Sequence, residues 1–583
     1  MDRFDTLIVN GHIIDGTGAA GYNADIGIVD GRVAAIGKLS NRRAANVIDA
    51  TGRIVAPGHV TQHSHYDAAL FWDPYCSNSG EHGVTTLVNA NCGFGFAPVR
   101  EEDRERTMRM METTEQIPMA HQRAGMPWDW VTFPEFLDRV RALPKGVNVL
   151  TYLPLNPLLV YVMGIEAAKT RRPTAPEIAR MHELINEAMD AGAIGISMSV
   201  MGLEGNSHLD SDGTAMPTDL LHPDDVVEIS RAVADRGEGL IQMLSQIAFN
   251  GDRNLTARVA EMARGTGARV VHNVFASADS LPDMPRENVA WIESLRARGL
   301  DVVAGAILNR GWVEAGIADL DTAAGQLSAV REIVACQSDE ERRALIADPA
   351  FAERFWAQYS ASGPTNGAGG FENQLVIEVG DNPELEPFVG RKLVDIAQAS
   401  GRNVVEALLD LGVRSNLKVQ FKSEPFAAAD PSQLLTYIAC PAIALGVSDG
   451  GAHTKAFGNG HYGTEFLISL VREQKLLSLE ELHFQLALKP ARTMMLQDRG
   501  ALCLGMWADV LIYDLDALYL DTSRFEILYD MPDGDWRRNP RAGGYDWILV
   551  NGVVTHRADA STGATPGDLL SIASEPMQLR AAA

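Results

Sequence analysis

The feature that most constrains this chain is a series of eight apolar, strand-like runs separated by helical stretches. They are His59 to Asp67, Gly83 to Cys92, Val147 to Leu155, Ala193 to Val200, Gly239 to Ser245, Ala268 to Phe275, Asp301 to Ile307 and Ala442 to Asp449. Several are apolar almost throughout, as parallel strands buried on both faces require. Some of the helices between them carry clear start and stop signals. Pro176-Glu177 opens one whose Ile178, Met181, Leu184, Ile185 and Met189 share a face, and Gly192 closes it. Pro223-Asp224-Asp225 opens another, with Val226, Val227, Ile229 and Val233 as its inner stripe. Alternation repeated this often predicts an α/β chain folded as a (β/α)8 TIM-like barrel rather than an open sheet.

The two ends of the chain have a different texture. Residues 5–57 read as short strands broken by turn pairs such as Asp30-Gly31, and Ala508 to Tyr513 and Trp547 to Val554 repeat the pattern. Val9-Asn10-Gly11 and Val550-Asn551-Gly552 echo one another. A small β-sandwich domain built from both termini, residues 1–57 and 500–560, is therefore expected beside a barrel at 58–499, with a C-terminal tail at 561–583. Two segments, near 100–145 and 310–435, exceed ordinary connections and are expected to cover the barrel mouth. A glycine-rich stretch at 366–370 reads as a lid or a loop tip. Trp128, Trp130 and Phe133 read as packing of the first insertion.

The charge balance narrows the partners. Fifty basic against 76 acidic residues leave a net charge of −26, which repels nucleic acid and anionic membranes. Five scattered cysteines form no disulfide framework, and the acidic N-terminus lacks the basic and apolar regions of a signal peptide. No window reaches the ~18–20 apolar residues of a membrane span. The expectation is a soluble, cytoplasmic protein with a small-molecule substrate, and a homo-oligomer is compatible with it.

In a barrel the chemistry sits at the C-terminal ends of the strands. The first strand ends His63-Ser64-His65; residues two apart on a strand point to the same side, so both imidazoles reach one metal, the alternative being two unrelated surface histidines. The second ends at Cys92, which is either a buried structural cysteine or a thiolate ligand suited to zinc. The eighth ends at Asp449, a carboxylate able to bind metal and take a proton from the attacking water, where Asp-Gly alone would signal a turn. The sixth carries His272, a core residue or a further ligand. The third strand has neither lysine nor glutamate to bridge metals, which favours Cys92 in that role.

These residues together resemble the amidohydrolase superfamily, and within it the N-acyl-D-amino-acid deacylase (D-aminoacylase) branch. The likeness runs through Ile54 to Gly58 before His63-Ser64-His65, Gly83-Val84-Thr85-Thr86 leading to Asn91-Cys92-Gly93, and Ala191 to Ser197. It continues through Ser448 to His453, Lys489-Pro490-Ala491, Gly500 to Gly505 and Ala508-Asp509-Val510. It implies a zinc-activated water that cleaves an amide, with Cys92 replacing a bridging lysine. The departures concern substrate and metal count. The histidine that normally ends strand five is missing from Gln242 to Gln246, and Pro154 to Pro157 replaces a Gly-His-Gly-type turn on strand three. Val274 stands where the family has a basic residue that holds the substrate carboxylate.

The leading expectation is a metal-dependent amidohydrolase of an N-acyl-D-amino-acid-like or other linear or cyclic amide. His63, His65, Cys92, His272 and Asp449 would bind one Zn²⁺, with a second ion left open, and Asp449 would be the catalytic base. His453, Asn273, Phe94 and Gln242 are candidate substrate contacts. Two alternatives stand beside it: hydrolysis of an ester, lactone, imide or carbamate of a bulky apolar compound, and a non-catalytic binding relative.

Overall fold

The computed structural model describes residues 3–39, 41–202, 209–245, 253–279, 281–320, 327–362, 370–425 and 427–572. The apolar runs are strands. In chain order they are His59–Val60 with His63–Ser64, Val84–Asn89, Asn148–Thr151 with Leu153–Pro154, Gly195–Ser199, Leu240–Leu244, Arg269–Phe275, Val302–Ala306, and Ile443–Leu445 with Val447–Gly450. Every neighbouring pair is parallel, with registers such as His59↔Val84, Thr86↔Asn148, Leu153↔Ile196, Gly195↔Leu240, Leu240↔Arg269, Val270↔Val302 and Ala304↔Ile443. The eighth strand pairs in turn with the first, at Val447↔His63. Strands one, three and eight each break once, so the ladders separate into sheets of three, six and two strands.

Alternation along these strands sorts their side chains. Val60, Val88, Leu150, Ile194, Leu240, Val271 and Val303 meet one another and Met494 in one apolar cluster. Ile196, Met243, Val270, Val302 and Ile443 point the other way and pack with the helices in the largest cluster. The helix Ala175–Asp190 begins with a capping box between Thr174 and Glu177 and buries Met181, Leu184 and Ile185. The helix Pro223–Arg236 buries Val226, Ile229 and Val233 and ends at Gly237, whose φ of +78° the missing Cβ permits.

Strands from both ends of the chain share one nine-stranded sheet. Ile54–Pro57 runs antiparallel to Val510–Tyr513, which joins the N-terminal hairpins to the C-terminal ones. Ile8, Ile26, Ile28, Val55, Val510, Ile512 and Leu549 form the core beneath it. Residues 566–570 cross back to the third strand, with backbone bonds from Val149 to Asp568 and from Leu570 to Val149. Leu570 then packs against the cluster inside the parallel strands.

The insertions differ in kind. The first forms the helices Arg104–Glu115, Met119–Gly125 and Phe133–Ala142. Trp128 stacks on Trp130 at 5.6 Å, and Trp130 meets Phe136 edge-on, so these aromatics pack the insertion. The second builds a three-stranded antiparallel sheet from Glu314–Gly316, Gln420–Lys422 and Leu375–Glu378. Its helices close over a hydrophobic cluster of their own that includes Phe351, Phe355, Leu408 and Phe421. Of the glycine-rich stretch expected at 366–370, residues 366–369 lie outside the described residues. No helix among the described residues is long and apolar enough to cross a membrane.

Candidate metal centre

The first and second strands bring three donor groups to one point, and the eighth places a carboxylate beside two of them. His63 and His65 turn their Nε2 atoms toward each other at 3.3 Å. After the second strand, Ala90 and Cys92 both adopt left-handed backbone, φ +56° and +58°, which folds the chain back and sets the Cys92 Sγ 3.3 Å from His63 Nε2. Non-glycine residues pay for that conformation, and such strain concentrates where a side chain must be aimed. Gly93 follows because a Cβ there would lie 2.9 Å from the Met198 Cα. On the eighth strand Asp449, also left-handed at φ +49°, presents Oδ1 at 3.3 Å from His63 Nε2 and 3.9 Å from His65 Nε2. Gly451 lets the chain pass His65, whose backbone would be 2.7 Å from a Cβ at that position.

The ligand atoms of His63, His65 and Cys92 lie within 4.8 Å of one another, and all three residues are buried. With Zn–N near 2.0–2.1 Å and Zn–S near 2.3 Å, tetrahedral donors are spaced by about 3.3–3.6 Å. The three 3.3 Å separations, all measured from His63 Nε2, match that spacing, while Asp449 stands at the margin of the cluster, 3.9 Å from His65 Nε2. Two imidazoles, a thiol and a carboxylate are also a chemically suitable zinc set. The residues present therefore fit the ion.

An amidohydrolase family model matches residues 46–204. The N-acyl-D-glutamate deacylase of Alcaligenes xylosoxydans xylosoxydans is 26% identical over 589 aligned residues, covering 99% of both chains. The D-aminoacylase of the same organism is 34% identical over 194 residues, 33% of this chain and 37% of that one. Among solved structures, a D-aminoacylase with a binuclear metal centre superposes with a TM-score of 0.65 at 22% identity, covering 97% of this chain and 100% of the other. The N-acyl-D-glutamate deacylase of Bordetella bronchiseptica, complexed with zinc and a phosphonate mimic of the tetrahedral intermediate, gives 0.63 at 23% identity, covering 97% and 99%.

Along almost its whole length the chain is similar to the D-aminoacylase branch of the amidohydrolase superfamily.

The surroundings of the four donors set their protonation. Burial pushes His63 down to about 3, so its imidazole is neutral and free to donate a lone pair. Burial, then Glu115 and Asp449, push the Cys92 thiol well above its ordinary value. The Cys92 backbone N–H donates to Gln242 Oε1 at 2.9 Å, and the Gly93 N–H donates to Ser197 Oγ at 3.1 Å. These bonds anchor the left-handed turn to the fourth and fifth strands. Asp67, just past the histidine pair, is held at about 7 by burial and accepts the Ala90 N–H at 3.1 Å.

His272, also expected among the ligands, is turned away from the cluster of the other donors. His272 sits opposite Met243, a residue of the outer core, and strand alternation turns it the same way. Its Nδ1 lies 3.3 Å from Thr256 Oγ1, and its ring meets Trp291 edge-on at 4.8 Å. Both partners belong to helices, Arg253–Met262 and Met284–Ala297. The inward place falls to Asn273, whose side-chain amide is 3.0 Å from His63 Nδ1. With Nε2 turned to a metal, Nδ1 carries the proton, and a half-turn of the amide presents Oδ1 as its acceptor.

The proposed substrate contacts take several parts. Asn273 and Gln242 brace His63 and Cys92. Phe94 is fully buried in the large core cluster. His453 stacks on Phe457 at 4.9 Å, and its Nδ1 lies 2.9 Å from Gln116 Oε1. One residue that sequence reasoning missed is Glu115, the last residue of the helix Arg104–Glu115. Its Oε2 reaches within 3.6 Å of His65 Nδ1. Met110 to Glu115 carries no motif, and only the docking of the insertion reveals it.

Proposed function

We propose that this protein is a metal-dependent amidohydrolase that cleaves the amide of an N-acyl-D-amino-acid-like or related N-acyl or cyclic substrate. One zinc ion would be held by His63, His65, Cys92 and Asp449. The observation that carries this reading is the buried cluster of His63, His65 and Cys92 donors, in which His63 Nε2 lies 3.3 Å from His65 Nε2, from Cys92 Sγ and from Asp449 Oδ1, near the edge length of a zinc tetrahedron. A bound zinc ion supplies Lewis acidity toward a carbonyl and makes water acidic enough to react near neutral pH. Asp449 is the only one of the four side chains that is substantially exposed, at 30%, against 3% and 2% for the two histidines. It is therefore the group that accepts the proton of the attacking water and returns it to the leaving nitrogen.

One ion is favoured over two because Gln242 and Asn273, the side chains nearest Cys92 and His63 from strands five and six, are neutral amides. Imidazoles or carboxylates would be needed for a second tight site. The eight parallel pairings, returning from the last strand to the first, support a (β/α)8 barrel at 58–499. The shared terminal sheet supports a second small β-domain from 1–57 and 500–560.

The test is steady-state hydrolysis by zinc-loaded protein of N-acyl-D-amino acids, cyclic amides and N-acylated amines, each with and without prior chelation. Activity that survives complete chelation refutes the reading. A second class is kept on one observation: Val274, half-buried against the core, offers no charge to a substrate carboxylate. Apolar esters, lactones, imides and carbamates belong on the same panel, and preference for them would reassign the bond cleaved.

A further inference from the structure

We propose that Glu115 positions the His65 imidazole for the metal, which makes the first insertion a working part of the metal site rather than a cover over it. The inference rests on the zinc reading above. His65 faces two ways: Nε2 looks toward His63 and Asp449, and Nδ1 toward the Glu115 carboxylate at 3.6 Å. An imidazole that binds metal through Nε2 carries its proton on Nδ1, and that N–H needs an acceptor. His65 is 2% exposed and the Glu115 side chain 4%, so their contact is shielded from solvent.

The carboxylate is unusual in its own right. Among the described residues no lysine or arginine lies within ion-pair distance of Glu115. A buried carboxylate without a cation is costly. Across the His65 ring, however, it faces the point where the metal's positive charge would sit. A carboxylate–imidazole–metal line of this kind fixes the ring plane and makes the ligand nitrogen more basic. His63 has the neutral counterpart in Asn273, so the anion falls to one of the two rings only.

Three contacts tie this arrangement to the insertion. The Glu115 carbonyl accepts the His453 N–H at 2.7 Å, and Gln116 Oε1 meets His453 Nδ1 at 2.9 Å. Both reach the loop that follows Asp449, while the Glu115 side chain reaches the first strand. The end of the helix Arg104–Glu115 thereby bridges the two strands that carry three of the four donors. Anything that stabilises this end in its docked position also favours the ion, and by linkage the ion favours docking.

The experiment measures zinc affinity of the metal-stripped full chain by competition with a chromophoric chelator, in wild type, Glu115→Gln and Glu105→Gln. Glu115→Gln keeps the shape and removes the charge, while Glu105 is an exposed acid on the same helix. The expected result is about 10–100-fold weaker zinc binding in E115Q and no change in E105Q. Cobalt-loaded E115Q should show an altered visible spectrum. Hydrogen exchange over residues 104–125 should slow on zinc loading in wild type and much less in E115Q. Zinc affinity and cobalt spectrum of E115Q equal to wild type, even with a lowered melting temperature, would overturn the proposal, since a purely structural role predicts that pattern. A wild-type chain that binds no zinc overturns the metal reading itself and this inference with it.

Discussion

Zinc binding by this chain is expected to strengthen as pH rises, and Cys92 is the residue that makes it do so. The thiolate is the metal ligand, but burial, together with Glu115 and Asp449, pushes the apo thiol well above its ordinary value. Across pH 6–8 the apo protein therefore holds Cys92 as a neutral thiol, and binding must release its proton. One released proton makes the association constant rise about tenfold per pH unit, or ~1.4 kcal/mol. His63, pushed down to about 3, is already neutral in this range and adds no slope. Burial, then Asp449 and Asp67, push Glu115 well above its ordinary value, and it adds its share to the slope where the incoming charge ionises it. The decisive quantity is thus a difference between proteins. Cys92→Ala should bind more weakly at every pH and should lose one unit from the slope of log K against pH. Between pH 6 and pH 8 the wild type then gains about 100-fold relative to the variant. The assay is chelator competition at fixed ionic strength, corrected for the chelator's own protonation. Equal slopes in the two proteins would refute the reasoning, because the thiol could not then be the source of the proton.

Other outcomes follow from the same geometry. Asp449→Asn should lower kcat by about 10²–10⁴ while zinc remains bound, measured by turnover alongside metal analysis. His272→Ala should leave zinc stoichiometry and affinity unchanged yet cost about 3 kcal/mol of stability, since the ring is packed between Thr256 and Trp291; loss of zinc would restore it as a ligand. Glu465, held at about 7 by burial and bonded to the Arg310 N–H, contributes stability that is complete below its unfolded value of 4.5 and is lost as pH rises through 7. Glu465→Gln removes that dependence, so its denaturation midpoint should gain on wild type between pH 5 and pH 7, by up to ~1.4 kcal/mol per unit. Chelation should lower the melting temperature, by the equivalent of ~4 kcal/mol when free zinc had stood at 1,000 times its Kd.

The sequence by itself determined the strands, the direction of the fold and most of the proposed metal set. Apolar runs such as Ala268 to Phe275 are strands because nothing but a buried parallel ladder accommodates them, and Pro and Gly mark the helix ends between them. His63 and His65 declare themselves because the period of a strand is two, and Cys92 and Asp449 because each ends a strand that the pattern identifies. Tertiary structure decided which side of each strand faces the site and what the insertions deliver to it. His272 and Asn273 are adjacent, so a one-residue difference in register exchanges a ligand for a buried ring, and neighbouring strands and helices settle that register. Glu115 was invisible for a related reason. Its role depends on where a helix some 50 residues downstream of His65 docks, and docking is governed by packed surfaces that leave no local motif.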